Sequence, residues 1–558
     1  MQSVCFPDPA AGSGNFLVIA YKELRRLEHA ILDQIVRLEN EFQENQLTIF
    51  TESRINVENF YGIEIDDFAV EVAILSLWIA KHQMNVEFRE KFGISIPLIP
   101  LRESGNVVAA NAARIDWNEV CPNDGETEIY LISNPPYLGH HLQSPEQKEE
   151  FALVLDAKHH SRKLDYVTIW LFKGAQYIKG SRAKVAFVTT NSVAQGEHVG
   201  MVFPYLFEQG VEIGYAYTSF KWDNNAKKNA GVTVVVISLR NVSSEPKFLY
   251  TDDFRVSVDN ISPYLTPGPT VVVSASRKIL SSALPAMAFG SKPTDGGHLV
   301  LNPREYSDIV AEFPEAAEYV RKYMGATEFI NGVDRYCLWI EDDEIVRAQR
   351  IPEISKRLDA VAEFRAQSKA PSTIKFAQYP NQFKQRAYKP TDAIIVPRVS
   401  SERRDYIPMG YLGPETVISD AAFAVYDAEP WLFAILTSRM HMAWTRAVGG
   451  QLETRLRYSN TIVYNNFPVP ELTDEDKEKL DEAAFRVLDV REYHSEKTLA
   501  ELYDPDLMPE NLRDAHERVD ALVDGIYRKK PFETDEERLA LLFEMYQEMS
   551  QAEGKTKK

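Results

Sequence analysis

Asn134, Pro135, Pro136 and Tyr137 follow the apolar run Ile129-Tyr130-Leu131-Ile132-Ser133 and are suited to grip an amino group on a planar ring. The Asn134 amide oxygen can accept one N–H bond and the Pro135 carbonyl the other. The two prolines fix φ and hold both acceptors in place. Tyr137 offers a face on which the ring can stack.

A second constellation lies near the N-terminus, where Asp8, Pro9, Ala10, Ala11, Gly12, Ser13, Gly14, Asn15 and Phe16 follow the short apolar run Val4-Cys5-Phe6. Gly12 and Gly14 let the backbone approach a ligand closely. No Gly-Lys-Ser/Thr follows, so this is not a P-loop, and the spacing is not Gly-x-Gly-x-x-Gly. An aspartate opening such a turn suits a nucleoside that carries an amino acid, because the acid can meet an ammonium.

These residues need elements to hold them. Leu17, Ala20, Leu24, Leu27, Ile31, Ile35 and Leu38 recur at spacings of three and four, which predicts a long helix after the glycine turn. Strand, turn and helix form the first unit of a doubly wound α/β domain, with a ligand at the strand tip. The run Asn59-Phe60-Tyr61-Gly62-Ile63-Glu64-Ile65-Asp66 predicts a second strand, followed by a helix buried through Val72, Leu75 and Ile79. A carboxylate at the second strand's tip binds ribose hydroxyls in such folds. Glu64, with Ile65 beside it, takes that role, while Asp66 caps the helix. A third strand near Val107-Val108 leads to Asn111, which could meet an adenine amino group. Later strands are expected at 185–190, 211–217 and 232–239.

The chain has 558 residues, enough for two or three domains, and 44% apolar content, as expected of a globular protein. No apolar run reaches the roughly 18 residues of a membrane span. The first motif begins within ten residues of Met1, so no signal peptide is expected. Three scattered cysteines lack metal-ligand spacing, which predicts no metal site and a reducing cytoplasm. The net charge of −20 argues against nucleic acid only superficially, because distribution matters more than the sum. Lys375, Lys384, Arg386, Lys389, Arg398, Arg403 and Arg404 are interleaved with Phe376, Tyr379, Phe383, Tyr388 and Tyr406, and Arg439, Arg446, Arg455 and Arg457 follow. A basic central stretch with acidic flanks fits a cleft for phosphate.

Along the chain, residues 1–240 read as the doubly wound domain and 241–299, with Pro267-Gly268-Pro269, as a linker or crossover. Residues 300–470 mix short strands and helices, with a turn at Gly410-Tyr411-Leu412-Gly413-Pro414 and an apolar helix over 431–444. Residues 471–558 form a charged helical tail, with His516 expected on a helix surface.

In this order, residues 8–16, 62–66, Asn111 and 134–137 resemble the S-adenosylmethionine-dependent amino-methyltransferases of DNA. More specifically, the chain resembles, nearly end to end, the modification and recognition half of the MmeI-like (type IIL, within type IIG) restriction-modification enzymes. Lys163-Leu164-Asp165-Tyr166-Val167, Val188-Thr189-Thr190-Asn191-Ser192, Phe220-Lys221-Trp222-Asp223-Asn224-Asn225-Ala226 and Tyr464-Asn465-Asn466-Phe467-Pro468 carry the resemblance further. It implies a Rossmann-like class I methyltransferase sheet, a mixed α+β target-recognition domain and a helical C-terminal region. It implies S-adenosylmethionine as cofactor and double-stranded DNA as partner. Asn at the head of the catalytic loop implies adenine N6 as the acceptor, since Ser is the usual residue for cytosine N4. The target base must then be flipped from the duplex, with Tyr137 on one face and Phe220 or Trp222 on the other. Asp165 supports the adenosine or the fold. Arg398, Arg403, Glu453 and Arg455 are the candidates for reading base edges, Arg for guanine and Glu for the cytosine amino group. Arg404 and most other cations nearby hold phosphates.

The chain departs from its family in two ways. Ala11 stands where Cys is usual. The family's nuclease domain, helical connector and one further cofactor-contacting motif precede the glycine turn, and here that turn comes at once. The expectation is therefore a methyltransferase without nuclease activity, with an apolar patch near residues 3–6 left for a polypeptide encoded upstream. Two rivals remain: an amino-methyltransferase acting on RNA or protein, and a non-catalytic remnant that binds DNA.

Overall fold

The computed structural model describes residues 4–41, 53–93, 106–222, 232–251 and 254–556. They form two compact units, residues 1–272 and 273–558.

The first unit opens with β1 (Phe6–Asp8), α1 (Asn15–Glu41), β2 (Phe60–Glu64), α2 (Asp67–Phe92) and β3 (Asn106–Ala109). β4 (Tyr130–Ser133), α3 (Pro145–Val154), α4 (Thr168–Ile178), β5 (Lys184–Thr190) and α5 (Gly196–Glu208) follow. The unit closes with β6 (Val211–Trp222), β7 (Val232–Asn241), β8 (Lys247–Tyr250) and β9 (Arg255–Val258). β1, β2 and β3 are parallel, in register Phe6 to Phe60 and Gly62 to Val107. The Cys5 N–H donates to the Glu128 carbonyl at 3.0 Å and the Tyr130 N–H to the Cys5 carbonyl at 2.9 Å, which seams β1 to β4. The spatial order is thus β3-β2-β1-β4-β5-β7-β6-β8-β9, with β7 antiparallel to both neighbours. The order reverses between β1 and β4, and a doubly wound sheet opens its ligand crevice at such a point.

α1 and α2 cover one face over β1, β2 and β3. Phe6, Phe60 and Tyr130 form a row there at 5.1 and 5.9 Å, and Tyr21 meets Phe60 edge-on at 5.5 Å. α4 packs on the opposite face against Val185 and Phe187. Beyond Tyr130 the first face opens into a cleft of about 270 Å³, lined by strand side chains such as Ile132, Ala186, Tyr215 and Phe248.

The predicted helices form, but their buried faces differ from those expected. α1 buries Leu17, Tyr21, Arg25 and His29, leaving Leu27, Ile31 and Leu38 exposed. α2 buries Val70, Ala73, Leu77, Ala80 and Met84, while Leu75 and Ile79 are exposed. Both helices are apolar on two sides. On α2 the side carrying Ala73 and Ala80 is the buried one, and Gly14 fits closely against it: a Cβ at Gly14 would lie 3.0 Å from the Ala73 Cβ.

The second unit holds three sheets. One is antiparallel, Ala288–Phe289, Ala422–Tyr426, Ala393–Pro397 and Gly410–Leu412. The next joins Val300–Leu301, Tyr336–Leu338, Val320–Met324 and Thr416–Ile418. The third is Val399–Ser400, Arg455–Arg457 and Gly450–Leu452. Helices Asp474–Tyr493, Glu510–Tyr527 and Asp535–Thr556 complete the chain. No helix among the described residues is long and apolar enough to cross a membrane.

Four expectations are corrected. Residues 241–299 are not a bare linker: β8 and β9 lengthen the first sheet, and 288–289 is a strand of the second unit. The Tyr464–Pro468 stretch explains the part between. Asn465 Nδ2 donates to the Ser276 carbonyl at 2.8 Å, Asn466 Nδ2 to Ser274 at 3.1 Å and Tyr464 Oη to Pro285 at 2.8 Å. The turn at 410–414 begins as a strand, and the helix over 431–444 is two helices, Pro430–Leu436 and Arg439–Val448, with Ser438 capping the second. His516 is fully buried: it stacks on Tyr406 at 4.2 Å and its Nε2 meets Tyr503 Oη at 2.7 Å. A helical period cannot reveal a partner that arrives from more than 100 residues away.

Candidate functional site

The tips of β1, β2 and β4 bring the glycine turn, the acidic strand end and the catalytic loop to one edge. Gly12 and Gly14 take φ of +53° and +81°, left-handed values that a side chain disfavours. Asp8 is almost wholly buried at the β1 tip, where its Oδ1 accepts the Ala10 N–H at 3.0 Å and Ser133 Oγ at 2.6 Å. The expected acid for an ammonium is therefore also the clamp between β1 and β4. Burial, aided by Glu64, raises its carboxyl to about 7, although the Ser133 and Ala10 donors work to lower it.

Glu64 closes the same corner from β2. Its Oε2 accepts the Gly12 N–H at 2.8 Å and its Oε1 the Ile65 and Asp66 N–H groups at 2.9 and 3.2 Å. An ionised carboxylate offers about four lone-pair sites, so these three bonds leave it room for a further donor. Asp66 caps α2, accepting from Phe68 and Ala69 N–H groups. Ile65 is 71% exposed beside Glu64, an apolar platform at a polar strand tip. Pro9 is buried, its carbonyl accepting Trp170 Nε1–H at 2.9 Å; Asn15 is exposed and Phe16 half-buried. Beyond β3, Asn111 accepts the Ala113 N–H at 2.9 Å and donates to Glu150 at 2.8 Å.

At the β4 tip, Asn134 and Tyr137 are half-buried, Pro135 is buried and Pro136 exposed. Tyr137 Oη donates to Asn134 Oδ1 and lies 3.4 Å from the Val188 carbonyl of β5. Burial pushes the Tyr137 hydroxyl well above its ordinary range. Asp165 anchors the end of the loop: it accepts the His140 N–H at 3.3 Å and Ser192 Oγ at 3.0 Å, with His198 Nε2 at 3.5 Å. Burial works to raise its carboxyl, but these partners together hold it below the ordinary value. Phe220 and Trp222, their centroids 6.2 Å apart, end β6, and Phe220 stands across β7 from the β5 tip through Val234. Residues 223–226 of that stretch lie outside the described residues.

The whole chain was compared with known proteins. Residues 1–251 match the DNA-methyltransferase domain of MmeI, 267–471 its target recognition domain and 472–552 its C-terminal domain. The solved structure of the type IIL restriction-modification enzyme MmeI in complex with DNA aligns with a TM-score of 0.89 at 36% identity, over 98% of this chain and 73% of that one. The chain belongs to the MmeI family. It is also 44% identical over 548 residues, 98% of its length, to DNA methyltransferase A of Bacillus subtilis, and spans 61% of that protein.

Within the target recognition domain of this MmeI-family chain, the five residues singled out for DNA gather around one small sheet. Arg398 precedes strand Val399–Ser400, and Glu453 sits at the turn before Arg455–Arg457. Their environments differ sharply. The Arg398 guanidinium lies 4.6 Å over the Phe289 ring and donates to the Asp420 carbonyl at 2.7 Å, so it braces the fold. Arg403 is exposed and paired with Asp506, and Arg404 is half-buried. Glu453, at φ +61° and 77% exposed, accepts from Arg455 at 2.9 Å. That exposed acid–base pair at a strained hairpin tip is the member of the set best placed to meet a ligand. Sequence reasoning missed Glu150 and Ser133, since neither belongs to a recognisable motif.

Proposed function

We propose that this chain transfers a methyl group from S-adenosylmethionine to N6 of an adenine flipped out of double-stranded DNA, as the modification part of a restriction-modification system. The observation that carries the reading is the placement of the Asn134 loop at the switch point, one strand from the glycine turn that Glu64 holds. The residues fit the cofactor: Asp8 supplies negative charge for the ammonium, Glu64 a remaining acceptor for ribose and Ile65 an apolar face for the purine. Pro9, Ala10, Gly12, Gly14, Asn15 and Phe16 form the backbone cradle, and Asn111 meets the adenine edge. S-adenosylmethionine, when bound, supplies the electrophilic methyl group.

The chain's own residues do the rest. Asn134 Oδ1 and the Pro135 carbonyl draw on the two N–H bonds of the target, so the nitrogen lone pair turns away from conjugation with the ring. Pro135 and Pro136 keep those acceptors from relaxing. Tyr137 stacks on the flipped base, with Phe220 or Trp222 opposite. Glu453 and Arg455 read base edges, while Arg403, expected among the base readers but exposed and already paired with Asp506, serves phosphate together with Arg404. Duplex DNA incubated with the purified chain and methyl-labelled cofactor tests the reading: label in N6-methyladenine at a fixed sequence supports it, and none, with DNA and cofactor both bound, overturns it.

A second proposal concerns a partner. The exposed apolar faces of α1 and α2 and the open cleft over β4, β5 and β8 favour cover by a further polypeptide, and the relatives are longer than the matched region. Addition of the upstream-encoded polypeptide should raise both the melting temperature and the methylation rate. Equal values with and without it would remove the proposal.

A further inference from the structure

Glu150, on α3, is 3% exposed and carries no motif, yet three donors converge on it. Its Oε1 accepts Asn111 Nδ2 and Arg114 Nε, each at 2.8 Å, and its Oε2 accepts Tyr166 Oη at 2.5 Å. Glu150 is ion-paired with Arg114 at 2.8 Å, and a carboxylate only accepts. Asn111 must therefore turn its NH2 toward Glu150 and its Oδ1 toward the Ala113 N–H. One lone pair of that oxygen meets the Ala113 N–H at 2.9 Å, and the other is left to accept.

We infer that Glu150 is a positioning residue that makes the nucleoside pocket selective for a 6-amino purine, by fixing the Asn111 amide with its oxygen toward the base. A 6-amino group can donate to that oxygen, whereas a 6-oxo group would set two acceptors against each other. Asn111 held the other way round would favour the oxo base. The inference rests on the cofactor reading above. Arg114 and Tyr166 contribute by holding Glu150 in place, not by touching the ligand.

The test compares two ligands, S-adenosylhomocysteine and its 6-oxo (inosine) counterpart, by calorimetry on the full chain. The wild type should prefer the amino form by about tenfold or more, as expected where a mismatched ligand leaves buried polar groups unpaired. In Glu150→Leu Asn111 loses the acceptor for its NH2, so the preference should fall to about threefold or less, whereas Glu150→Gln, whose side-chain oxygen Arg114 still holds against Asn111, should keep it. Glu150→Asp keeps the charge but falls short of Asn111, and should narrow the preference likewise. A merely structural role would weaken both ligands equally and leave the ratio alone. Glu150→Leu and Glu150→Asp proteins that bind S-adenosylhomocysteine with the wild-type ratio would overturn this inference by itself. A wild-type chain that binds neither ligand would overturn the cofactor reading, and this inference with it.

Discussion

The hydroxyl of Tyr137 donates its hydrogen bond to the amide oxygen of Asn134. The acceptor assigned to the target amino group is thus satisfied from within its own loop. An arriving base has to replace that bond, which costs little because one hydrogen bond is exchanged for another. The tyrosine keeps a half-buried acceptor from standing unpaired, and on the proposed mechanism its ring then takes the base.

Two substitutions separate these roles. Asn134→Ala should lower the methylation rate by at least about a hundredfold, the scale of losing one preorganised polar contact in a transition state. Cofactor and DNA affinity should stay nearly unchanged. Tyr137→Phe, which keeps the ring, should be mild, and Tyr137→Ala should depress both the rate and the signal of a fluorescent base analogue at the target. A wild-type rate from Asn134→Ala would remove the mechanism.

Glu64 has a structural duty and, on the proposed reading, a binding one as well. Glu64→Ala frees the Gly12 N–H and removes the acceptor left for ribose, so S-adenosylmethionine should bind about 1–3 kcal/mol more weakly. Isothermal titration on the folded variant checks it, and unchanged affinity would end the ribose assignment.

If Asp8 meets the cofactor's ammonium as proposed, binding should be sensitive to pH. Its carboxyl is raised from 3.8 to about 7 because burial disfavours the charge. The folded state therefore favours the neutral acid, and this contribution to stability, intact below about pH 4, declines as pH rises to about 7. An ammonium beside the carboxylate reverses that preference. Cofactor binding near pH 7 should therefore release a proton, visible as a dependence of binding heat on buffer ionisation enthalpy. Asp8→Asn should lose that dependence, and a wild type without it would show that the ammonium is held elsewhere.

DNA affinity should fall steeply with salt despite the net charge of −20, because local basic surface governs counterion release. Arg455→Ala should change which sequence is methylated, and Arg403→Ala should weaken all sequences alike. Arg398→Ala should act on stability, by about 2 kcal/mol, through the lost Phe289 and Asp420 contacts. Single-molecule methylation mapping together with thermal melts of the three variants distinguishes these outcomes. An unchanged site with Arg455→Ala would remove it from base reading.

The sequence alone determined the strand–turn–helix units, the edge at which Asp8, Glu64 and Asn134 meet, and the Asp66 cap. These follow from local rules: alternation of apolar residues, the conformations only glycine adopts readily and the rigidity of proline. Tertiary structure decided everything that depended on a partner distant in the chain. It set which faces of α1 and α2 are buried, with Gly14 packed closely against Ala73 of α2. It buried His516 beneath Tyr406, turned Arg398 from a surface cation into an internal brace and gathered Asn111, Arg114 and Tyr166 around Glu150. Periodicity reports that a side chain is apolar or charged, but burial and pairing are set by what packs against it, and that information lies elsewhere along the chain.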